Sequence, residues 1–325
     1  MLRRCWVLLS LTMLLTASSK THAVDDAKPK LRTVRMIYLV SSDRKENVEY
    51  TAALEHAIRD LQKWYGRQLG GPTFRLNDPV VEVVESNRAA TWFYQNPNGS
   101  DQDSWGFNNT LDEAKQLVGA KHNDPDFIWI LYSDGPGNKG RGGSGVACLP
   151  EDDLLGLVGT HPEQKDKSRW IAGLGHELGH AFGLPHPTDT EKYADAIMWL
   201  GIYGKYPDHT YLTDDDKKIL RRSPFFYREN DEPLFQLGKV VARYNYPGGA
   251  FEQHEAMNPI YWTESKTESD ESHLFEESRR DANFIYLRDE GRGYSIRIPI
   301  KGGNSELSGD QEKSWRTLYQ VEPGK

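Results

Sequence analysis

Three of the ten histidines fall within a single short run, His176-Glu-Leu-Gly-His180-Ala-Phe-Gly-Leu-Pro-His186. On a helix, residues four apart lie one above the other, so His176 and His180 point into the same space. Gly183 is where the chain can turn at positive φ without penalty, and the turn returns His186 as a third nitrogen. Imidazole nitrogens suit zinc, and three protein ligands leave a fourth position open, which is the pattern of a catalytic rather than a structural site. Glu177, about 100° around the helix from His176, reaches a water at that position rather than the metal itself. The chemistry such a set supports is hydrolysis, with metal-activated water attacking a carbonyl while Glu177 accepts its proton.

A family resemblance rests on the same residues. His176-Glu-x-x-His180-x-x-Gly183-x-x-His186 resembles the extended zinc signature of the metzincin metalloproteases. Over roughly residues 33–226 the resemblance implies a mixed sheet with helices, the metal helix, a methionine turn and a closing helix. Asp195-Ala-Ile-Met198-Trp-Leu-Gly201 supplies the turn, with Met198 in the methionine's place. Two places on, where astacins and serralysins carry a tyrosine that assists the oxyanion, this chain has Leu200, so that role is unfilled or falls to another group such as Tyr203. The resemblance implies a Zn2+-dependent endopeptidase acting on a protein or peptide substrate. It makes His176, His180 and His186 the ligands and Glu177 the general base. Two other readings keep the metal. One is hydrolysis of an amide in a cell-wall or glycan-linked substrate; the other is a zinc-stabilised, catalytically silent binding protein.

Such a helix needs a scaffold. Leu31–Val40, Val80–Glu85 and the continuous apolar run Phe127–Tyr132 read as strands, the last one central and covered on both faces. Leu54, Ile58, Leu61, Trp64 and Tyr65 share one helix face, which Gly70-Gly71-Pro72 ends. Thr110 with Glu113 reads as a capping box opening a short helix through Val118. Strands alternating with helices predict an α/β layer structure. Gly135-Pro-Gly137-Asn-Lys-Gly140 matches G-x-G-x-x-G, but Arg141-Gly-Gly-Ser-Gly145 does not open the helix that dinucleotide binding requires. A flexible loop is expected there. Ser168–Ala172 begins the metal helix, with Gly173 and Gly175 as close-packing positions against the sheet. Thr213 caps a last helix, with Asp214, Asp215 and Asp216 in its first turn.

Beyond Phe226 the pattern turns to short strands, and Asn283–Leu287 with Tyr294–Ile300 reads as a hairpin. The expectation is a peptidase domain over 24–226 and a small β-rich accessory domain over 227–325. Trp262, Trp315 and Tyr319 are candidate stacking groups for a carbohydrate or protein surface, against the commoner core role for such aromatics. Glu264–Glu271 reads as a solvated acidic loop.

Composition bounds these readings. A formal charge of −8 argues against a nucleic-acid-coating role, since phosphate binding needs a basic face, so no nucleic-acid partner is expected. A mean hydropathy of −0.70 excludes a multi-spanning membrane protein. Arg3 and Arg4, the apolar run Trp6–Ala17 and the small residues ending at Ala23 read as a secretory signal peptide over 1–23, too short for a membrane span. The expected location is secreted or extracytoplasmic, periplasmic in a Gram-negative host. Cleavage after Ala23 removes Cys5 and leaves Cys148 alone, in an apolar setting that reads as a buried, inert thiol.

Overall fold

The structure is a computed structural model that describes residues 31–324 apart from 138, 236, 256–258, 268–271 and 290–291; the leader read over 1–23 lies outside the described residues. In chain order the first part contains β1 (Thr33–Val40), α1 (Val48–Leu69), β2 (Thr73–Glu85), α2 (Trp92–Gln95) and α3 (Trp105–Val118). There follow β3 (Phe127–Ser133), β4 (Arg141–Gly143), β5 (Val146–Leu149), α4 (Glu151–Val158), α5 (Lys167–Ala181), α6 (Asp214–Leu220) and β6 (Phe226–Tyr227). The strands form a six-stranded sheet in the order β4-β5-β3-β1-β2-β6. β2, β1, β3 and β5 run parallel, while β4 and β6 are antiparallel edges.

Both faces of this sheet are covered, and the period-2 alternation of the strands decides what each face touches. Val34, Met36, Tyr38 and Val40 of β1 enter the core formed with α1, α4 and α5, whereas Ile37 and Leu39 face the core that includes Phe93, Leu111 and Ala114. Asn47 caps α1 by accepting from the Glu49 N–H, and Gly70, at φ 76°, ends it as expected. Cys148 is buried on the α3 side, where burial pushes its thiol well up. Among the described residues no helix is long and apolar enough to cross a membrane.

Three local expectations are corrected. α3 begins at Trp105, so Thr110 and Glu113 are interior rather than a capping box. The buried Glu113 carboxylate instead accepts from Ser86 Oγ and the Asn87 N–H, holding the chain after β2. The stretch after β3 is not all loop: it leads into β4, which pairs with β5. Gly175 meets α1 rather than the sheet, since a Cβ there would stand 2.6 Å from Leu61 Cδ2.

The rest of the chain supplies β7 (Val240–Tyr246), β8 (Gly249–His254), β9 (Tyr261–Lys266), β10 (Ser272–Arg280), β11 (Phe284–Asp289), β12 (Tyr294–Pro299), β13 (Gly303–Ser308) and β14 (Arg316–Pro323). They close into an antiparallel barrel, and β14 completes the ring by pairing with β7. β11 and β12 form the expected hairpin. Phe251, Trp262, Phe275, Leu287 and Ile298 fill the interior. Glu264, expected in a solvated loop, is buried in β9 and accepts from Tyr246 Oη at 2.9 Å. The three aromatics read as stacking candidates are engaged within the fold. Trp262 is fully buried, Tyr319 stacks on Tyr246 at 4.0 Å, and Arg297 lies 4.6 Å over Trp315. Arg222, just after α6, reaches Glu276 of β10 at 2.6 Å, and Phe235 packs on Tyr261.

Candidate metal centre

α5 starts one residue ahead of the expected Ser168, because Asp166 caps it by accepting from the Ser168 N–H. It ends in a Schellman arrangement: the Gly183 N–H donates to His180 O and the Leu184 N–H to Gly179 O, with Gly183 at φ 92°. That left-handed turn doubles the chain back on the helix and brings His186 beside His176 and His180.

The three Nε2 atoms stand 3.1, 3.1 and 3.3 Å from one another. Nitrogens each about 2.0–2.1 Å from a shared tetrahedral ion would stand about 3.3–3.4 Å apart, so the spacing fits such an ion closely. Outward hydrogen bonds fix the tautomers. His176 Nδ1–H donates to Ile197 O at 2.7 Å, and His180 Nδ1–H donates to Leu184 O at 2.8 Å. Each ring therefore turns an Nε2 lone pair inward, and converging lone pairs repel unless a cation lies among them. Burial lowers all three imidazole pKa values, that of His176 to about 4, which favours the neutral, ligating form. Among the described residues these three form the cluster able to hold a metal ion. Burial decreases from His176 to His186, so the centre opens to solvent on the His186 side, beside Trp199 at 5.4 Å.

The Met198 segment supports α5 from below. Trp199 N–H donates to Ala196 O, closing a tight turn whose Ile197 carbonyl is the acceptor for His176. Met198 is fully buried, and a Cβ on Gly179 would stand 2.4 Å from its Sδ. The thioether thus fills the space that glycine leaves on the metal helix. Leu200, which stands where astacins and serralysins carry their tyrosine, and Tyr203, the alternative for that role, are both mostly exposed, and the Tyr203 ring lies 4.6 Å from the Arg169 guanidinium.

Glu177 faces β4. Burial raises its carboxyl to about 7, with Asp153 adding to the effect; Arg141, Arg169 and the Gly142 N–H act in the opposite direction. β4 can approach this closely because it is nearly bare: a Cβ on Gly142 would stand 2.1 Å from Glu177 O. Sequence reasoning missed Gly142, Arg141, Asp153 and Arg169. Arg169 alone had a visible signal, since it precedes His176 by seven residues and so shares its helix face. The neighbourhood of Asp153 and β4 depends on pairing between distant segments.

No family model matches the chain, and no curated protein matches it. Among solved structures it is similar to crystal structures of OgpA from Akkermansia muciniphila. Two crystal forms of the wild type align at 16% identity with a TM-score of 0.42 and at 15% with 0.43. They cover 94% and 96% of this chain and 99% and 100% of OgpA. A catalytically inactive OgpA in complex with an O-glycopeptide substrate, glycodrosocin, aligns at 16% with a TM-score of 0.43, covering 92% of this chain and 96% of that one.

Proposed function

We propose that this chain is a secreted zinc endopeptidase of the metzincin type, with His176, His180 and His186 as ligands, Met198 in the methionine turn and Glu177 as general base. The observation that carries the reading is the convergence of three Nε2 atoms at ligand spacing, each of two rings being held by a backbone carbonyl. Bound zinc supplies Lewis acidity, polarising a carbonyl and lowering the pKa of water. Glu177 takes the proton of the attacking water and returns it to the leaving amine. The edge strand β4, packed against Glu177, offers its outer backbone groups to an extended substrate, as sheet edges do. An intact carboxylate at 177 favours catalysis over the silent binding protein.

The test is metal analysis joined to cleavage. Protein purified without chelators should hold about one zinc per chain and cut members of a diverse peptide panel that includes O-glycosylated peptides. Chelation should abolish cutting, and added zinc should restore it. Protein without a transition metal, or a zinc-loaded protein that leaves the whole panel intact, overturns the proposal. Cutting confined to the glycosylated members would select the glycan-linked amide reading.

A further inference from the structure

Arg169, Gly173, His176 and Glu177 follow the i, i+4, i+7, i+8 stripe of one face of α5. A Cβ on Gly173 would stand 2.6 Å from Arg169 Nη1 and 3.8 Å from Asp153 Oδ1. The missing side chain is what lets the guanidinium fold back along the helix toward the metal centre. Its charge reaches Asp153, His176 and Glu177. On its other side lies the ring of Tyr203, which is 57% exposed.

Among the described residues this cation makes no direct ion pair: no carboxylate comes within 4.0 Å of the guanidinium, and none of its N–H groups has a hydrogen-bond acceptor. Asp153 borders the same gap but stays beyond that reach, and burial pushes its carboxyl up to about 7, which weakens it as a competitor. None of its nitrogens is among the buried atoms left without a partner, so the guanidinium reaches solvent and its five donors are open to a ligand. Its planar fork matches a carboxylate in bidentate fashion, and a neighbouring aromatic ring keeps the fork in place.

We propose that Arg169 is a specificity-determining residue that receives a carboxylate of the substrate, which makes peptides bearing a carboxylate close to the cut the favoured class. The proposal rests on the peptidase reading above. The carboxylate comes either from an acidic side chain near the scissile bond or from a free C-terminus.

Matched peptides separate these sources: Glu against Gln and against Lys at each position around the cut, each made with a C-terminal acid and a C-terminal amide. Wild type, Arg169→Gln, Arg169→Lys and Arg169→Glu, all full length, are compared by the acid-to-amide ratio of kcat/KM and by zinc content. The wild-type ratio should be about ten- to a hundredfold at one position or at the C-terminus, the scale of a charge-assisted hydrogen-bond pair. It should collapse toward one in Arg169→Gln, survive in part in Arg169→Lys, and turn in favour of a Lys peptide in Arg169→Glu, with zinc content unchanged. No acid preference in the wild type, a preference that survives Arg169→Gln, or equal losses on both members of every pair overturns the proposal. If the wild type cuts none of the peptides, the peptidase reading fails by itself. Calorimetric titration of the same pairs into the zinc-loaded protein then decides the Arg169 question. An Arg169-dependent ratio of Kd values sustains it, and its absence ends it.

Discussion

Glu177 is surrounded by opposing influences: burial and Asp153 hold its proton, while Arg141, Arg169 and the Gly142 N–H release it. A divalent ion at the three imidazoles adds positive charge to the releasing side. The carboxylate is the working form of a general base, so activity should be present at high pH and lost as pH falls through a value at or below about 7. A pH profile of kcat/KM on a neutral peptide checks this, and an acid limb centred above pH 8 would remove Glu177 from the role. Glu177→Gln keeps size and shape without the base. It should retain zinc while turnover drops by about two to four orders of magnitude. Zinc lost in proportion to activity would make Glu177 a ligand or a folding residue instead.

At the scale of elements, α5 is held by what its glycines leave out. Gly179→Ala would drive a methyl group into Met198 Sδ, in a core where Met198 and Tyr65 are both fully buried. Overpacking of this kind should lower stability by about 1–3 kcal/mol, read as the urea midpoint of the zinc-loaded protein. An unchanged midpoint would mean that the turn below α5 is plastic. The ligand helix, its Gly183 turn and the Thr213 cap were legible in the sequence because each is specified within a few neighbouring residues. Thr213 and Asp216 do form the reciprocal box. Thr110 and Glu113 show the same local pattern yet sit inside a helix, since Glu113 is claimed by Ser86 and Asn87, more than twenty residues earlier. β4 was illegible for a different reason: a three-residue strand with two glycines has no propensity to read, and exists only through its pairing with β5. Glu264 looked solvated because its partner, Tyr246, lies in another strand.

On the scale of the whole molecule, the α/β part and the barrel meet through the Arg222–Glu276 ion pair and the Phe235–Tyr261 contact. Leu234 still packs on the first core and its N–H donates to Phe226 O, so a chain cut after Phe235 keeps that core intact. Such a chain should bind zinc and cut small peptides. Its activity on a large or insoluble substrate should fall further if the barrel is the accessory, targeting part. Equal losses on both kinds of substrate would make the barrel a brace. The closed ring of eight strands also has a consequence for what the molecule can grip. A barrel has no free strand edge to lend, and β6 at one end of the open sheet is only two residues long. Among the described residues β4 is the remaining edge, and it lies beside Glu177. A target that adds itself there must first be straight: a helix or a well-packed loop cannot offer the row of backbone groups that β4 would accept. Conformation would then act as a filter before any side chain is read, sparing native proteins and admitting linkers, tails and unfolded chains.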